Sequence, residues 1–171
     1  MDIVFDIDGT LADPAHRLHF IQPPKGTTAV GFQKKWDQFL APEQLVKDAP
    51  VPQVWFLLES LLLSNLHKII FITGRTEEQR DITTNWLLDV SCPIRGRSAR
   101  FMKKIPDFFP RSLYMRADDD FRASHVVKLE GLNRAKEDGF HPKMAFEDRH
   151  QDTVMWRENG LLCCQVNDGQ F

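Results

Sequence analysis

Several features that would place this chain in a special class are missing or scarce. Its 171 residues hold three cysteines, Cys92, Cys163 and Cys164, too few for a disulfide framework. Cys163 and Cys164 lie in an apolar run and read as buried thiols rather than ligands. No apolar run is long enough to span a bilayer; the longest, Val54 to Leu63, is interrupted by Glu59. Asp2, Asp6 and Asp8 stand where a secretory signal would be basic and then apolar. Neither sign of charge is in excess. With 22 Lys and Arg against 24 Asp and Glu, the net charge is -2, so affinity for a polyanion has to come from a local patch. There is no G-x-x-x-x-G-K-[ST] segment, which argues against ATP-dependent kinase activity. Internal repeats and low-complexity linkers are also lacking. What remains is an ordinary globular composition, expected to fold as one unit over residues 1–171 in a reducing, cytoplasmic setting.

What is present alternates between strand and helix. Ile3-Val4-Phe5 is a short apolar run, Val54 to Leu66 a plausible helix, and Lys68 to Ile72 a strand rich in β-branched residues. Thr76 with Gln79 resembles a capping box, followed by Ile82, Trp86 and Val90 at helical spacing. Further strands are expected at Leu113–Met115, Met144–Phe146 and Leu161–Val166, and helices at Val126–Lys136 and Asp152–Asn159. Such alternation predicts an α/β fold with a mostly parallel sheet covered on both faces. Residues 11–50 break the pattern with Pro14, Pro23, Pro24, Gly26, Gly31 and Pro50 and only a modest helical stretch at Phe32–Leu40. They read as an insertion after the first strand. Residues 92–111 form a basic, proline-punctuated segment containing Arg95, Arg97, Arg100, Lys103, Lys104 and Arg111.

The strongest chemical signal is Phe5-Asp6-Ile7-Asp8-Gly9-Thr10-Leu11, directly after an apolar strand. Side chains two apart on extended chain point the same way, so Asp6 and Asp8 are expected to face one site. In open parallel sheets that site lies at the carboxyl ends of the strands. Two close carboxylates repel unless a cation neutralises one or a proton sits on the other. Both conditions suit phosphoryl transfer by a metal-bound nucleophile beside an acid. A calcium loop would need ligands where Leu11, Ala12 and Pro14 stand. Phe71-Ile72-Thr73-Gly74-Arg75 again runs from strand toward helix, where a hydroxyl and amides can hold phosphate oxygens, although a capped turn explains it equally. Lys128 alone reads as a surface lysine. Glu147-Asp148 ends another strand, and acids there would complete an oxygen-rich site suited to Mg²⁺.

In this order, Asp6-x-Asp8-Gly9-Thr10, Thr73-Gly74-Arg75, Lys128 and Glu147-Asp148 resemble the haloacid dehalogenase superfamily of phosphohydrolases. The stretch from Asp120-Phe-Arg122 through Val126-Val127-Lys128 and Met155-Trp156-Arg157 is similar to the phosphatase half of phage-type polynucleotide kinase-phosphatases. The resemblance implies a three-layer Rossmann-like sheet with residues 11–50 as a small cap. It implies Asp6 as nucleophile and metal ligand, and Asp8 as general acid/base with its carbonyl also on the metal. Thr73 and Gly74 would bind the phosphoryl group, Lys128 would neutralise it, and Asp148 would ligate Mg²⁺ with Glu147 acting through water. Glu147 departs from the two aspartates usual in that subgroup. Arg17, Arg75 and Arg122 are the further substrate-binding candidates. The implied activity is removal of 3′-phosphates from nucleic acid ends or nucleotides. Two other readings stay open: a mononucleotide or small-metabolite phosphatase, and a non-catalytic module that binds nucleic acid ends. The Arg95–Arg111 cluster, with Phe101, Phe108 and Phe109, could track a strand or be a solvated basic face. A phage origin would place the protein in the host cytoplasm.

Overall fold

The computed structural model describes residues 1–24, 26, 30–90 and 109–169. Ile3-Val4-Phe5, buried on both faces, forms most of strand β1 (Asp2–Phe5), and an apolar strand of that kind needs neighbours on both sides. It pairs in parallel with β4 (Lys68–Thr76), Ile3 opposite Ile69 and Phe5 opposite Phe71. On its other side it pairs in parallel with β6 (Pro142–Arg149), Val4 opposite Ala145 and Phe5 opposite Phe146. The edge strands are β5 (Leu113–Arg116) and β7 (Leu162–Gly169). The five-stranded sheet has the order β5-β4-β1-β6-β7, and all its pairings are parallel. The chain builds one side of β1 first and then crosses to the other, so the connections diverge beside β1 and open a crevice at its carboxyl end.

Alternation along the strands sorts the core into two layers. Ile3 and Phe5 face one cluster with Val54, Trp55 and Leu58 of α3 (Pro52–Ser64) and Trp86 and Leu87 of α4 (Arg80–Val90). Val4, Ile70 and Ile72 face the other, with Leu132 and Ala135 of α6 (Ser124–Glu137) and Met155 and Trp156 of α7 (His150–Glu158). Burying a side chain of this size stabilises the fold by roughly 1.5–3 kcal/mol, so both faces must be covered. This is the expected three-layer α/β arrangement. Pro52 opens α3 at a position where its missing N–H costs nothing, and Asn65 closes it in the left-handed conformation at φ 57°. Thr76 and Gln79 do form a capping box, at the turn leading into α4.

Residues 11–50 leave the sheet and return through a small ribbon. In it β2 (Ala12–Asp13) pairs antiparallel with β3 (Ala49–Pro50). Between them lie a 3₁₀ turn at Ala15–Phe20, α1 (Trp36–Phe39) and α2 (Pro42–Leu45). The helical stretch expected at Phe32–Leu40 is therefore only four residues long. Ala41 is extended because Pro42 follows it, which ends α1. Most of the basic segment lies outside the described residues. Its end enters α5 (Phe109–Ser112), where Arg111 is exposed. No described helix is long and apolar enough to cross a membrane.

Candidate active site

β1 ends at Phe5, and the next residues make a tight loop. Leu11 and Ala12 donate their N–H groups to the Ile7 carbonyl at 2.8 Å, and Gly9 donates to Ala12 O at 2.7 Å. Gly9 takes φ +87°, and a methyl there would overlap the Asp148 carboxylate. Gly169 leaves room for the same carboxylate from the other side. The loop thus admits Asp148, at the end of β6, to the carboxyl end of β1.

Asp6 and Asp8 do not share one partner. Asp6 Oδ1 lies 2.9 Å from Lys128 Nζ, and oxygens of Asp6, Glu147 and Asp148 come within 4.8 Å of one another. Asp8 is held instead by Arg17 Nη2 at 2.5 Å and by Arg75 Nη2 at 2.6 Å. Asp48 balances the same two guanidiniums at 2.7 Å from each. Arg17 also donates to the Phe39 carbonyl and stacks over the Phe39 ring. Arg75 further reaches Thr83. Repulsion between the two acids is therefore relieved by separate cations, a lysine for one and two arginines for the other.

The protonation behaviour divides accordingly. Burial, with Glu147 nearby, pushes the Asp6 carboxyl up to about 8 against the pull of Lys128. Burial, with Asp6 and Glu147 beside it, pushes Asp148 up to about 9. Burial also acts on Asp8, but Arg75 and Arg17 outweigh it and hold the carboxyl well below the usual carboxylate range. Burial opposes the charge on Lys128, yet Asp152, Asp6 and Glu147 keep the ammonium protonated far above its ordinary value.

Lys128 is 1 % exposed, and its ammonium meets three carboxylates: Glu147 at 2.7 Å, Asp6 at 2.9 Å and Asp152 at 2.9 Å. Glu147 is occupied throughout. One oxygen accepts from Lys128 and Trp156 Nε1, the other from the Asp148 and Arg149 amides. Asp152 also accepts from Ser124 Oγ at 2.8 Å. By contrast, both Asp148 oxygens are buried and find no hydrogen-bond partner among the described residues. An unpaired buried carboxylate is costly, and all-oxygen donors in this grouping fit a hard cation such as Mg²⁺. Asp6 and Asp148 are the groups free to hold it. Glu147 is committed to Lys128, Trp156 and the two amides.

The remaining candidates differ in burial and in partners, and Arg122 makes no contact with this centre among the described residues. Thr73 is buried and its Oγ1 accepts the Arg75 amide at 3.2 Å, which leaves its hydroxyl proton for another acceptor. Gly74 follows it, its carbonyl held by Arg116 Nε at 3.0 Å. Arg17 and Arg75 are fully buried beside Asp8. Arg122 is exposed and ties Asp120 to Glu130. Asp48 and Asp152 escaped sequence reasoning. Asp48 belongs to no motif. Asp152 left a trace, because it shares the buried face of α7 with Met155 and Trp156 at helical spacing.

A parallel five-stranded sheet with acids and a buried lysine at its carboxyl edge defines a haloacid dehalogenase-like phosphatase. The family profile of the polynucleotide kinase PNKP phosphatase domain matches residues 1–171, and the chain belongs to that family. Among solved structures it resembles a chain of the Pnkp1/Rnl/Hen1 RNA repair complex, with 22% identity and a TM-score of 0.67 over 99% of this chain and 43% of that one. It also resembles the haloacid dehalogenase-like family protein SP0104 from Streptococcus pneumoniae, with 17% identity and a TM-score of 0.58 over 95% of this chain and 82% of that one. The chain spans less than half the length of the RNA repair chain it matches. No curated protein sequence matches it.

Proposed function

We propose that this phosphatase is a Mg²⁺-dependent phosphomonoesterase acting through an aspartyl-phosphate on Asp6, with 3′-phosphorylated nucleic acid ends as substrate. The observation that carries the mechanism is the pairing of Asp6 with Lys128 next to the Asp148 carboxylate, which has no hydrogen-bond partner among the described residues. Family membership and the likeness to an RNA repair protein support the choice of substrate.

Asp6 Oδ attacks phosphorus, the P–O bond to the leaving group breaks, and the departing oxygen takes a proton from Asp8. Water then attacks the phosphorus, gives its proton to Asp8 and releases the Asp6 carboxylate. Lys128 faces Asp6 and offsets the charge of the phosphoryl oxygens, and Thr73 and the Gly74 amide orient them. Asp6, Asp148 and the Asp8 carbonyl would hold Mg²⁺, which would supply charge neutralisation and favour the ionised form of Asp6.

Asp8 in the free protein is poised as a base, because Arg75 and Arg17 keep it ionised. To act as an acid it must first gain a proton. The negative charge of an arriving phosphate dianion raises the proton affinity of nearby Asp8 and so favours that uptake. The test is phosphate release with Mg²⁺ from a 3′-phosphorylated oligonucleotide, its 5′-phosphorylated twin, and 3′- and 5′-mononucleotides, with Asp6→Asn as blank. The proposal expects the 3′-phosphorylated oligonucleotide to be preferred and the blank to be inert. Equal release from the blank would remove Asp6 as nucleophile. Preference for mononucleotides would make the protein a nucleotidase.

A further inference from the structure

The connection between β5 and α6, residues 117–123, emerges at the same carboxyl edge of the sheet as the acids, because β5 ends at Arg116 and α6 carries Lys128. It is heavily braced. Arg116 donates through Nη1 to the carbonyls of Asp120 at 2.8 Å and Arg122 at 2.7 Å, and through Nε to Gly74 in the phosphate-binding strand. Asp120 accepts from the Arg122 amide and guanidinium. Glu78 donates its amide to Asp118 at 2.8 Å. All this ordering holds a loop whose one large apolar side chain, Phe121, is 93% exposed.

Exposure of one phenylalanine is unremarkable in itself; the setting gives it meaning. Phe121 borders a cavity of about 500 Å³. Arg116, Arg122 and Arg134 line it together with Asp119, Asp120 and Glu130, so its formal charges balance. A phosphate gains nothing from a neutral wall, whereas a flat, uncharged ring with hydrogen-bonding edges suits it. Arg134 adds a buried Nε–H that finds no acceptor among the described residues.

From this juxtaposition we infer that the Phe121 face of the cavity stacks the nucleobase next to the 3′-terminal nucleotide of a single strand. The inference rests on the 3′-end reading above and extends it, because such a subsite favours polymers over mononucleotides. A rigid loop presents the ring without an ordering cost at the moment of binding. Aromatic stacking of one base is worth about 5- to 150-fold in affinity.

The experiment measures KM with Mg²⁺ for a 3′-phosphorylated mononucleotide, a short 3′-phosphorylated oligonucleotide, and the same oligonucleotide made abasic at the position next to the end. In the wild-type protein the intact oligonucleotide is expected to have a KM lower than the mononucleotide by about 5- to 150-fold, and the abasic version to lose that gain. Phe121→Ala should remove the difference between intact and abasic strands, and Phe121→Trp should keep it. An equal abasic penalty in wild type and Phe121→Ala overturns the inference. So does an absence of penalty in a wild type that still prefers the oligonucleotide, which would leave the exposed ring to a protein contact. A wild type that shows no preference for the oligonucleotide at all sinks the 3′-end reading and this inference together.

Discussion

The metal-free protein should lose stability as pH rises, and Mg²⁺ should matter more as it does. Asp6 is pushed from 3.8 to about 8 by burial and Glu147, and Asp148 from 3.8 to about 9 by burial, Asp6 and Glu147. Between the unfolded and folded values, the folded state holds protons that the unfolded state has released. With fewer protons on the unfolded chain, the slope of unfolding free energy against pH is negative, about 1.4 kcal/mol per unit for each retained proton. Between about pH 5.5 and 7.5 each of the two groups therefore costs about 3 kcal/mol. The carboxyls with depressed values, Asp8, Asp120 and Asp152, act with the opposite sign and at pH near and below 3.8. The assay is urea unfolding in chelator across that range, for wild type and Asp6→Asn. The variant lacks one of the two titrating groups, so its slope should be shallower than wild type by about 1.4 kcal/mol per unit. The subtraction removes every histidine and surface contribution the two proteins share. Because ligands must be ionised to bind the cation, wild-type Mg²⁺ affinity should rise by about tenfold per pH unit for each proton displaced. Parallel slopes in the two proteins, with Mg²⁺ affinity flat through the window, would refute the reasoning.

Asp152→Ala should destabilise the fold by about 3 kcal/mol or more, because Lys128 and Ser124 lose a buried partner; urea unfolding showing a change below about 1 kcal/mol would make Asp152 incidental. Arg75→Met removes the stronger of the two cations holding Asp8 down. Loss of base function as pH falls should then begin at higher pH, and an acid limb of the kcat/KM profile that does not move upward would count against Arg75 as the group tuning Asp8. Gly131→Ala places a methyl against Ile72 in the layer beneath α6 and should cost about 1–3 kcal/mol by overpacking, measured as a lower midpoint in urea; a midpoint equal to wild type would show that Ile72 yields freely.

Much of the fold was legible in local pattern. The apolar runs at Ile3–Phe5, Lys68–Ile72 and Met144–Phe146 could only be buried strands, because each is short, β-branched or aromatic, and bounded by polar turns. The Thr76–Gln79 capping box, closed within one turn, and the Ile82–Trp86–Val90 spacing along α4 are likewise local signals. Periodicity failed where proline rather than apolar spacing ruled, as at Phe32–Leu40, of which only Trp36–Phe39 is helical before Ala41 extends ahead of Pro42.

The site divides in the same way. Sequence alone could place Asp6 and Asp8 after a buried strand and Glu147-Asp148 after another, since strand ends of a parallel sheet converge on one edge. It could not say which acid meets which cation. Asp48 lies 40 residues beyond Asp8 in an irregular insertion, and Lys128 and Asp152 stand on different helices. Their meeting depends on how the insertion folds back over the first loop and how α6 and α7 pack side by side. Local propensity decides where a strand begins. Only packing decides that Asp6 shares a buried lysine while Asp8 is clasped by two arginines, and that difference separates the raised carboxyl of the one from the depressed carboxyl of the other.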